Sequence, residues 1–252
     1  MSTLDTHLPG VPLATPLYRE IAVRMRTALA ESEWKPAEAI PSERQLSVRF
    51  GVSIGTVRKA IDELVAANLL IRQQGRGTFV ASHDRDRMLF YFFHVVPEHE
   101  DAKPYPDVRL VAFSRARADR FEAEHLRIGI GDGVVRIRNL LRLRGDPVIV
   151  DDLTLAASRF PGLTEKQFAG RPSTIYNLYQ DAFGLSVVAA RERLRATLAD
   201  AATAQLLDIS PGAPLLSIRR LALSYNDDPI ELRRSLVDTS AHEYWAEIGT
   251  PA

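Results

Sequence analysis

Hydrophobic residues recur with two different periods along the chain, and the period changes after about the first third. Residues 16–34 carry an apolar side chain at every fourth position, which predicts an amphipathic helix. Two more helices are predicted over residues 42–50 and 54–67, followed by short strands over residues 69–72 and 78–80. The remainder of the chain has alternating or continuously apolar runs of strand length.

The second and third predicted helices have recognisable ends. Ser42 and Gln45 have the spacing of a capping box, and Gly51 suits the sharp turn that follows. Ser53 can cap the third helix, whose apolar residues form one predicted buried stripe: Val57, Ile61, Leu64 and Val65. This stripe is expected to pack against the apolar positions of the first helix, which are Leu17, Ile21, Met25 and Leu29.

Polar and basic residues lie on the opposite side of the third helix. Thr56, Arg58 and Lys59 fall in its first turns, where side chains can reach phosphates or base edges and the helix amino terminus attracts phosphate. A helix pair with a few arginines is by itself typical of an ordinary solvated surface. The order of helix, turn, helix and hairpin is instead that of a winged helix-turn-helix, in which one helix enters the DNA major groove.

The tip of the predicted hairpin contains Gly75, Arg76 and Gly77. Glycines allow close approach of the backbone to a ligand, and Arg76 can supply a charge to phosphate or to the minor groove. The same three residues also form a common turn. Their position directly after the helix pair favours the wing of a DNA-binding domain.

Residues 16–80 resemble the DNA-binding domain of the GntR family of bacterial transcription regulators. The matching segments are PLYREI at Pro16, PSERQL at Pro41, FGVS at Phe50, TVRKAI at Thr56 and GRGTFV at Gly75. By position, the resemblance implies DNA contacts for Arg44, Arg58 and Gly77, and also for Ser53, Thr56 and Arg76. With Lys59 and Gly75 added, these residues form the predicted DNA-binding surface.

One position departs from the family pattern. Many members have arginine directly after the serine of the turn, whereas this chain has Ile54. A bidentate arginine–guanine pair contributes about 1–3 kcal/mol of base discrimination. A different operator, or heavier use of phosphate and wing contacts, is therefore expected.

The second part of the chain predicts a mixture of strands and short helices. Residues 88–96 form a continuous apolar run rich in aromatic residues, which favours a buried strand. Further strands are predicted over residues 108–118, 134–143, 147–155, 187–198, 215–225 and 229–237, and short helices over residues 118–126, 173–183 and 200–207. Two hairpins among these strands indicate an α+β domain with a mainly antiparallel sheet.

Composition excludes several classes of protein. The 252 residues include no cysteine, so disulfides and cysteine-ligated zinc are impossible. The six histidines are scattered, and no nucleophile elbow, phosphate loop or dinucleotide motif is present, so we expect no catalytic residues, metal or cofactor. With 32 basic and 32 acidic residues the chain is neutral, and the bases between Arg44 and Arg76 form only a local patch. No signal peptide or membrane span is recognisable, which predicts a cytoplasmic protein.

The expected domain organisation follows from these patterns. Residues 1–15 are interpreted as a loose arm and residues 16–82 as the winged helix-turn-helix domain. A polar linker is placed at residues 83–88, where the sequence is HDRDRM. Residues 89–248 then form the second domain.

The second domain resembles the UTRA-type effector-binding domain, with a chorismate-lyase-like fold, of the HutC branch of the GntR family. The similar segments are RIRNLLRLRGDPVIVDD, FPGL at Phe160, STIYNLY at Ser173 and DDPIEL at Asp227. The resemblance implies ligand-facing roles for Asp151 and Glu231, and an anion-holding role for Ser173 at a helix start. The alternatives are solvated carboxylates and an ordinary helix cap.

Another departure concerns the effector. Members that respond to sugar phosphates commonly carry an arginine-x-arginine pair that grips the phosphate. The corresponding positions here hold Asn139 and Leu141, while Arg136 and Arg138 lie at an odd offset that turns them to the other sheet face. Asn139 therefore joins the predicted effector-binding residues. A carboxylate, an amino-acid-derived compound or an uncharged molecule is expected rather than a phosphosugar.

These observations together predict a homodimeric repressor that binds a pseudo-palindromic operator in double-stranded DNA and responds to a small molecule. Two alternatives remain open. One is an enzyme fused to a DNA-binding module, because the fold that the resemblance implies is shared with a lyase. The other is an effector-independent regulator in which the second domain only dimerises.

Overall fold

The computed structural model describes residues 16–82, 92–99 and 104–246, and the chain forms two compact units, residues 1–81 and 82–252. The amino-terminal unit contains three helices and an antiparallel hairpin. Its elements are α1 (Leu17–Ala30), α2 (Glu43–Phe50), α3 (Ile54–Ala66), β1 (Leu70–Gln73) and β2 (Gly77–Val80).

The predicted helix ends of this unit are confirmed. Ser42 and Gln45 form a reciprocal capping box, Gly51 ends α2 with a φ of +67°, and the Ser53 side chain accepts the Thr56 N–H at the start of α3. The core joins α1 to α3 through buried residues of both: Ile21, Met25, Leu29, Val57, Ile61 and Leu64. The expectation for Leu17 was wrong, because this first residue of α1 lies one turn before the packed stripe and is 51% exposed.

The carboxy-terminal unit is built on a six-stranded antiparallel sheet with the order β4-β5-β6-β9-β8-β7. Its strands are β4 (Asp107–Arg117), β5 (Gly133–Leu143), β6 (Asp146–Ala156), β7 (Ala189–Leu198), β8 (Pro214–Leu223) and β9 (Pro229–Asp238). A separate antiparallel pair joins β3 (Val95–Pro97) to β10 (His242–Tyr244). The helices are α4 (Arg120–Leu126), α5 (Glu165–Ala169), α6 (Ile175–Phe183) and α7 (Ala201–Leu207), with a 3₁₀ turn at Tyr225–Asp227.

The two faces of the sheet have different partners, because successive strand residues point to opposite sides. One face, named here the cleft face, carries Asn139, Leu141, Asp151, Glu231 and Arg233 and packs its apolar part against α5 and α6. The other, named the arginine face, carries Arg138, Asp152, Arg193, Arg219 and Arg234 on five neighbouring strands. Helices α4 and α7 pack on the apolar part of the arginine face.

The α+β fold class is confirmed, and differences concern element boundaries. Of the strand predicted over residues 88–96, residues 88–91 lie outside the described part, residues 92–94 are not extended in a sheet, and only Val95 and Val96 belong to β3. The helix predicted from Ser173 begins at Ile175 instead. Strand β7 begins at Ala189, two residues later than predicted. No helix among the described residues is long and apolar enough to cross a membrane.

Candidate DNA-binding and effector-binding sites

The predicted DNA-binding residues lie on three elements of the amino-terminal unit. Arg44 is on α2, and Ser53, Thr56, Arg58 and Lys59 are at the cap and in the first turns of α3. Gly75 and Arg76 form the turn between β1 and β2, and Gly77 begins β2. All of these residues are exposed except Thr56, which is half-buried. The first turns of α3 therefore present polar side chains to solvent, as a recognition helix requires.

Arg58 is engaged by an acidic residue of α2. Its Nη2 lies 2.8 Å and its Nε 3.1 Å from Oε2 of Glu43. The hydrogen bond from Arg58 lowers the pKa of the Glu43 carboxyl, with further Coulomb contributions from Arg58 and Arg72. Because this ion pair is solvent-exposed, it contributes little stability. A DNA phosphate could therefore replace Glu43 as the partner of Arg58.

The wing is held by two residues with positive φ. Gly75 has a φ of +71° and Gly77 a φ of +114°, and the Arg76 N–H donates to the Gln73 carbonyl at 3.0 Å. A side chain at either glycine would be strained in this conformation. The turn leaves Arg76 exposed at the tip.

Ile54 is the first residue of α3 and is 43% exposed. An apolar side chain at this place cannot donate a hydrogen bond to guanine, but it can contact a thymine methyl group. Its exposure on a helix start otherwise lined by polar residues agrees with a contact to DNA.

The predicted effector-binding residues lie around the cleft face. A cleft of about 400 Å³ opens between this face and the segment that leads into α6. Its lining includes Tyr105, Leu141, Asp151, Arg171, Ser173, Thr174 and Arg233. Leu141, Asp151 and Ser173 are thus brought together at one cavity, whereas Asn139 and Glu231 do not line it.

A buried arginine joins the two predicted carboxylates. Arg233 Nη1 lies 3.1 Å from Oδ2 of Asp151, and its Nε lies 2.8 Å from Oε1 of Glu231. Burial alone would lower the pKa of Arg233, but Glu231 and Asp151 raise it well above its usual value. Burial raises the pKa of Asp151, although Arg233 opposes this. Neither carboxylate is a solvated group.

Glu231 also receives two tyrosine hydroxyls from α6. The Tyr179 hydroxyl donates to Oε2 at 2.7 Å and the Tyr176 hydroxyl to Oε1 at 3.3 Å. Burial and the Glu231 carboxylate raise the pKa of Tyr179 well above its usual value, so it stays a donor. Glu231 is fully buried and holds α6 and Arg233 in place behind the cleft.

The entrance to α6 differs from the prediction in its capping residue. Thr174, not Ser173, caps the helix, because its side chain accepts the Asn177 N–H at 3.0 Å. Ser173 lies one residue earlier at the cleft and is half-buried. Arg171 lines the same wall and donates from Nη1 to the Phe168 carbonyl at 2.6 Å. This wall therefore offers hydroxyl and guanidinium donors.

Asn139 is directly opposite Asp151 in the sheet and is fully buried. Neither its side-chain oxygen nor its nitrogen has a hydrogen-bond partner within the described residues. Leu141, two residues further on the same face, is apolar and lines the cleft. As the odd offset predicts, Arg138 points to the other face, where it pairs with Asp152 at 2.6 Å.

A second buried arginine connects this region to the segment that precedes β3. Arg220 donates from Nε to Glu192 at 2.6 Å, and it also bonds the Tyr176 hydroxyl and the carbonyl of Phe92. Glu192 in turn accepts from the hydroxyl of Tyr244 on β10. Phe92 lies in the segment that precedes β3, so a chain of polar contacts runs from Arg233 past Tyr176 to this segment.

Sequence reasoning singled out Asp151, which lines the cleft, and Glu231, which does not, but it missed Arg233, Arg220 and the two tyrosines. The alternation of β9 offered a signal, because Arg233 has the same parity as Glu231 and must share its face. Nothing in the sequence indicates that Arg220 reaches Phe92, since that contact spans 128 positions.

Comparison with known proteins identifies both domains. Residues 17–80 match the model of the gntR family of bacterial regulatory proteins, and residues 104–243 match the UTRA domain, which covers more than half of the chain. The chain belongs to the UTRA-containing branch of the GntR family. It is accordingly a ligand-responsive DNA-binding regulator.

Two relatives and one solved structure illustrate the similarity to other GntR regulators. The chain is 29% identical to the probable fructoselysine utilization operon repressor of Escherichia coli, over 86% of this chain and 88% of that one. It is 28% identical to the histidine utilization repressor of Pseudomonas aeruginosa, over 87% and 85%. The ligand-binding domain of a GntR-family regulator from Bordetella bronchiseptica is 34% identical with a TM-score of 0.59, and it covers 64% of this chain and 98% of its own.

Replacing Arg58 by alanine is expected to weaken operator binding without unfolding the protein. A lost phosphate contact should also reduce the slope of log affinity against log salt by about one. Fluorescence anisotropy across a salt series measures both quantities. Arg24→Ala, an exposed ion-paired arginine of α1, is the matched control and should leave both unchanged. If Arg58→Ala and Arg24→Ala have the same operator affinity and the same salt dependence, Arg58 does not contact DNA.

Replacing Arg233 by methionine is expected to lower the free energy of unfolding by about 3–5 kcal/mol, because Glu231 and Asp151 are left buried without their cation. The neighbouring Arg234→Met removes only an exposed ion pair with Asp152 and should cost less than about 1 kcal/mol. Urea unfolding followed by the fluorescence of Trp245 in a Trp34→Phe background measures both. Similar costs for the two variants would contradict a buried charge network.

Proposed function

We propose that this GntR regulator is a homodimeric repressor that releases operator DNA when a small molecule binds in the cleft. Both relatives described above are named as repressors of utilization systems, which supports the direction of control. The proposed DNA contacts are those of the exposed surface on α2, α3 and the wing. Two copies would present two recognition helices to the two halves of a pseudo-palindromic operator. The proposed role is regulatory, without catalysis.

The observation that carries this proposal is the polar connection behind the cleft. Arg233 lines the cleft, its guanidinium lies over the ring of Tyr176 at 5.6 Å, and Tyr176 bonds Arg220. Arg220 donates to the carbonyl of Phe92, in the segment that precedes β3. A ligand that moves Arg233 would therefore disturb this segment, which follows the predicted linker in the sequence. A coupling of about 1–3 kcal/mol would change DNA affinity roughly 5–150-fold.

The chemistry of the cleft supports an effector that is not a phosphosugar. Leu141, which lines the cleft, cannot bind phosphate, and Asn139, buried opposite Asp151 outside the cleft lining, supplies no second positive charge. Arg171 and Ser173 could hold a single carboxylate, while Asp151 could accept an ammonium or hydroxyl group. The utilization systems named for the two relatives, fructoselysine and histidine, favour an amino-acid-derived compound.

Effector control is tested by a thermal-shift screen of the full chain against amino acids, carboxylates, sugar phosphates and fatty acids. A compound that binds the folded state stabilises it, and the same compound should weaken binding to operator DNA at least fivefold. The operator is mapped first by footprinting upstream of the regulator's own gene. If a compound stabilises the protein but leaves its DNA affinity unchanged, the second domain serves only for dimerisation. If the protein converts the compound to a product, it is an enzyme.

The exclusion of phosphosugars is tested by calorimetry with glucosamine 6-phosphate and with the best non-phosphorylated compound from the screen. We expect only the second to bind, and Asp151→Asn to weaken it by about tenfold, as for the loss of a charged hydrogen bond. Lys166→Ala, an exposed cation of α5, serves as the control variant. Tight binding of the sugar phosphate that Asn139→Ala weakens would overturn this assignment.

A further inference from the structure

The arginine face carries a row of charged residues that the cleft does not use. Arg193, Arg219, Arg234, Asp152 and Arg138 lie directly opposite one another on five neighbouring strands. At a strand spacing of about 4.8 Å, this row is about 19 Å long. It therefore places four guanidinium groups and one carboxylate side by side across most of the sheet.

Ion pairing neutralises one end of this row but not the other. Asp152 forms ion pairs with two arginines: its Oδ1 lies 2.6 Å from Nε of Arg138, and its Oδ2 lies 3.3 Å from Nη2 of Arg234. Within the part of the chain that the structure describes, Arg193 and Arg219 form no ion pair, and the same holds for Arg195 one row further along β7. Like charges that face each other directly across strands are destabilising. Three uncompensated arginines at β7 and β8 therefore attract an anion.

Arg195 and Arg219 line a groove rather than a flat surface. A cavity of about 560 Å³ lies between the sheet and the start of α4. Its other lining residues include Arg234, Thr197, Ser217 and Phe121, together with the carboxylates Asp119, Glu122 and Asp152. Glu122 is paired with Arg136, and Asp152 with Arg138 and Arg234, so these two carboxylates are already neutralised. The guanidinium of Arg219 lies 5.1 Å from the centre of the Phe121 ring, which is 42% exposed. The groove thus brings convergent donors together beside an accessible aromatic ring.

We propose that this groove is a second ligand site, which binds a small molecule bearing phosphate groups. Guanidinium groups match the geometry of phosphate oxygens and bind them in a bidentate manner, and the two hydroxyl groups add neutral donors. A single carboxylate would neutralise only one of the two groove arginines that form no ion pair among the described residues, Arg195 and Arg219. A di- or triphosphate carries enough charge for both, and its oxygens can span neighbouring strands.

The groove is separate from the effector cleft yet shares a strand with it. Along β9, Glu231 and Arg233 point to the cleft face, whereas Leu232 and Arg234 point to the groove. A phosphate compound in the groove would consequently occupy the face opposite to the effector. The two ligands could then bind at the same time and influence each other through the backbone of β9.

Isothermal titration calorimetry of the full chain with inorganic pyrophosphate, at constant ionic strength, tests this site. The unaltered protein should bind pyrophosphate, and Arg195→Ala and Arg219→Ala should each weaken binding about tenfold or more, as expected for a lost charge-assisted hydrogen bond. Arg109→Ala is the control, because this exposed arginine lies on β4, four strands away from Arg219 in the sheet. The Arg109→Ala variant should bind pyrophosphate with the same affinity as the unaltered protein.

Several outcomes would overturn the proposal. One is the absence of binding at millimolar pyrophosphate, and another is binding that neither Arg195→Ala nor Arg219→Ala changes. Sedimentation of the same variants distinguishes a competing occupant. If Arg219→Ala dissociates the protein without affecting pyrophosphate, a second copy of the chain covers the groove instead. Arg195 is exposed on the edge strand β7, so its replacement leaves the fold intact even if Arg219→Ala does not.

Discussion

The carboxy-terminal unit depends on the requirement that buried charges be paired. Arg233 and Arg220 are both buried, and an unpaired guanidinium in such a place would cost several kcal/mol. Glu231 and Asp151 pair with Arg233, and Glu192 and the carbonyl of Phe92 accept hydrogen bonds from Arg220. These partners come from three strands, β6, β7 and β9, and from the segment that precedes β3. The pairing therefore fixes strand register, the position of α6 and the position of Phe92 at once.

The period of two along each strand gives one sheet two separate electrostatic environments. On the cleft face, the arginines are buried and neutralised by carboxylates, and tyrosine hydroxyls complete the network. On the arginine face, the residues one position away are solvated, and their charges are only partly compensated. Because a shift of one residue would exchange the two sets, both the buried charges and the hydrophobic core oppose any slip of register.

Local patterns predicted most of the fold. The capping box at Ser42, the left-handed Gly51 and the two hairpins depend on neighbouring residues, so the sequence indicated them correctly. The strand predicted over residues 88–96 was wrong at residues 92–94, because apolar composition alone does not distinguish a strand from a buried irregular segment. Thr174 rather than Ser173 caps α6, since two adjacent cap-forming residues give the same pattern.

For the site as well, the sequence indicated features that depend on local patterns but not contacts between distant residues. Resemblance suggested ligand-facing roles for Asp151 and Glu231, which stay predictions, whereas parity correctly indicated the opposite orientation of Arg138. The partners of these residues could not be predicted, because contacts such as Tyr179 with Glu231 join positions 52 residues apart and exist only after the sheet has formed. The row of arginines is similarly invisible in the sequence, where Arg138, Arg193, Arg219 and Arg234 are scattered.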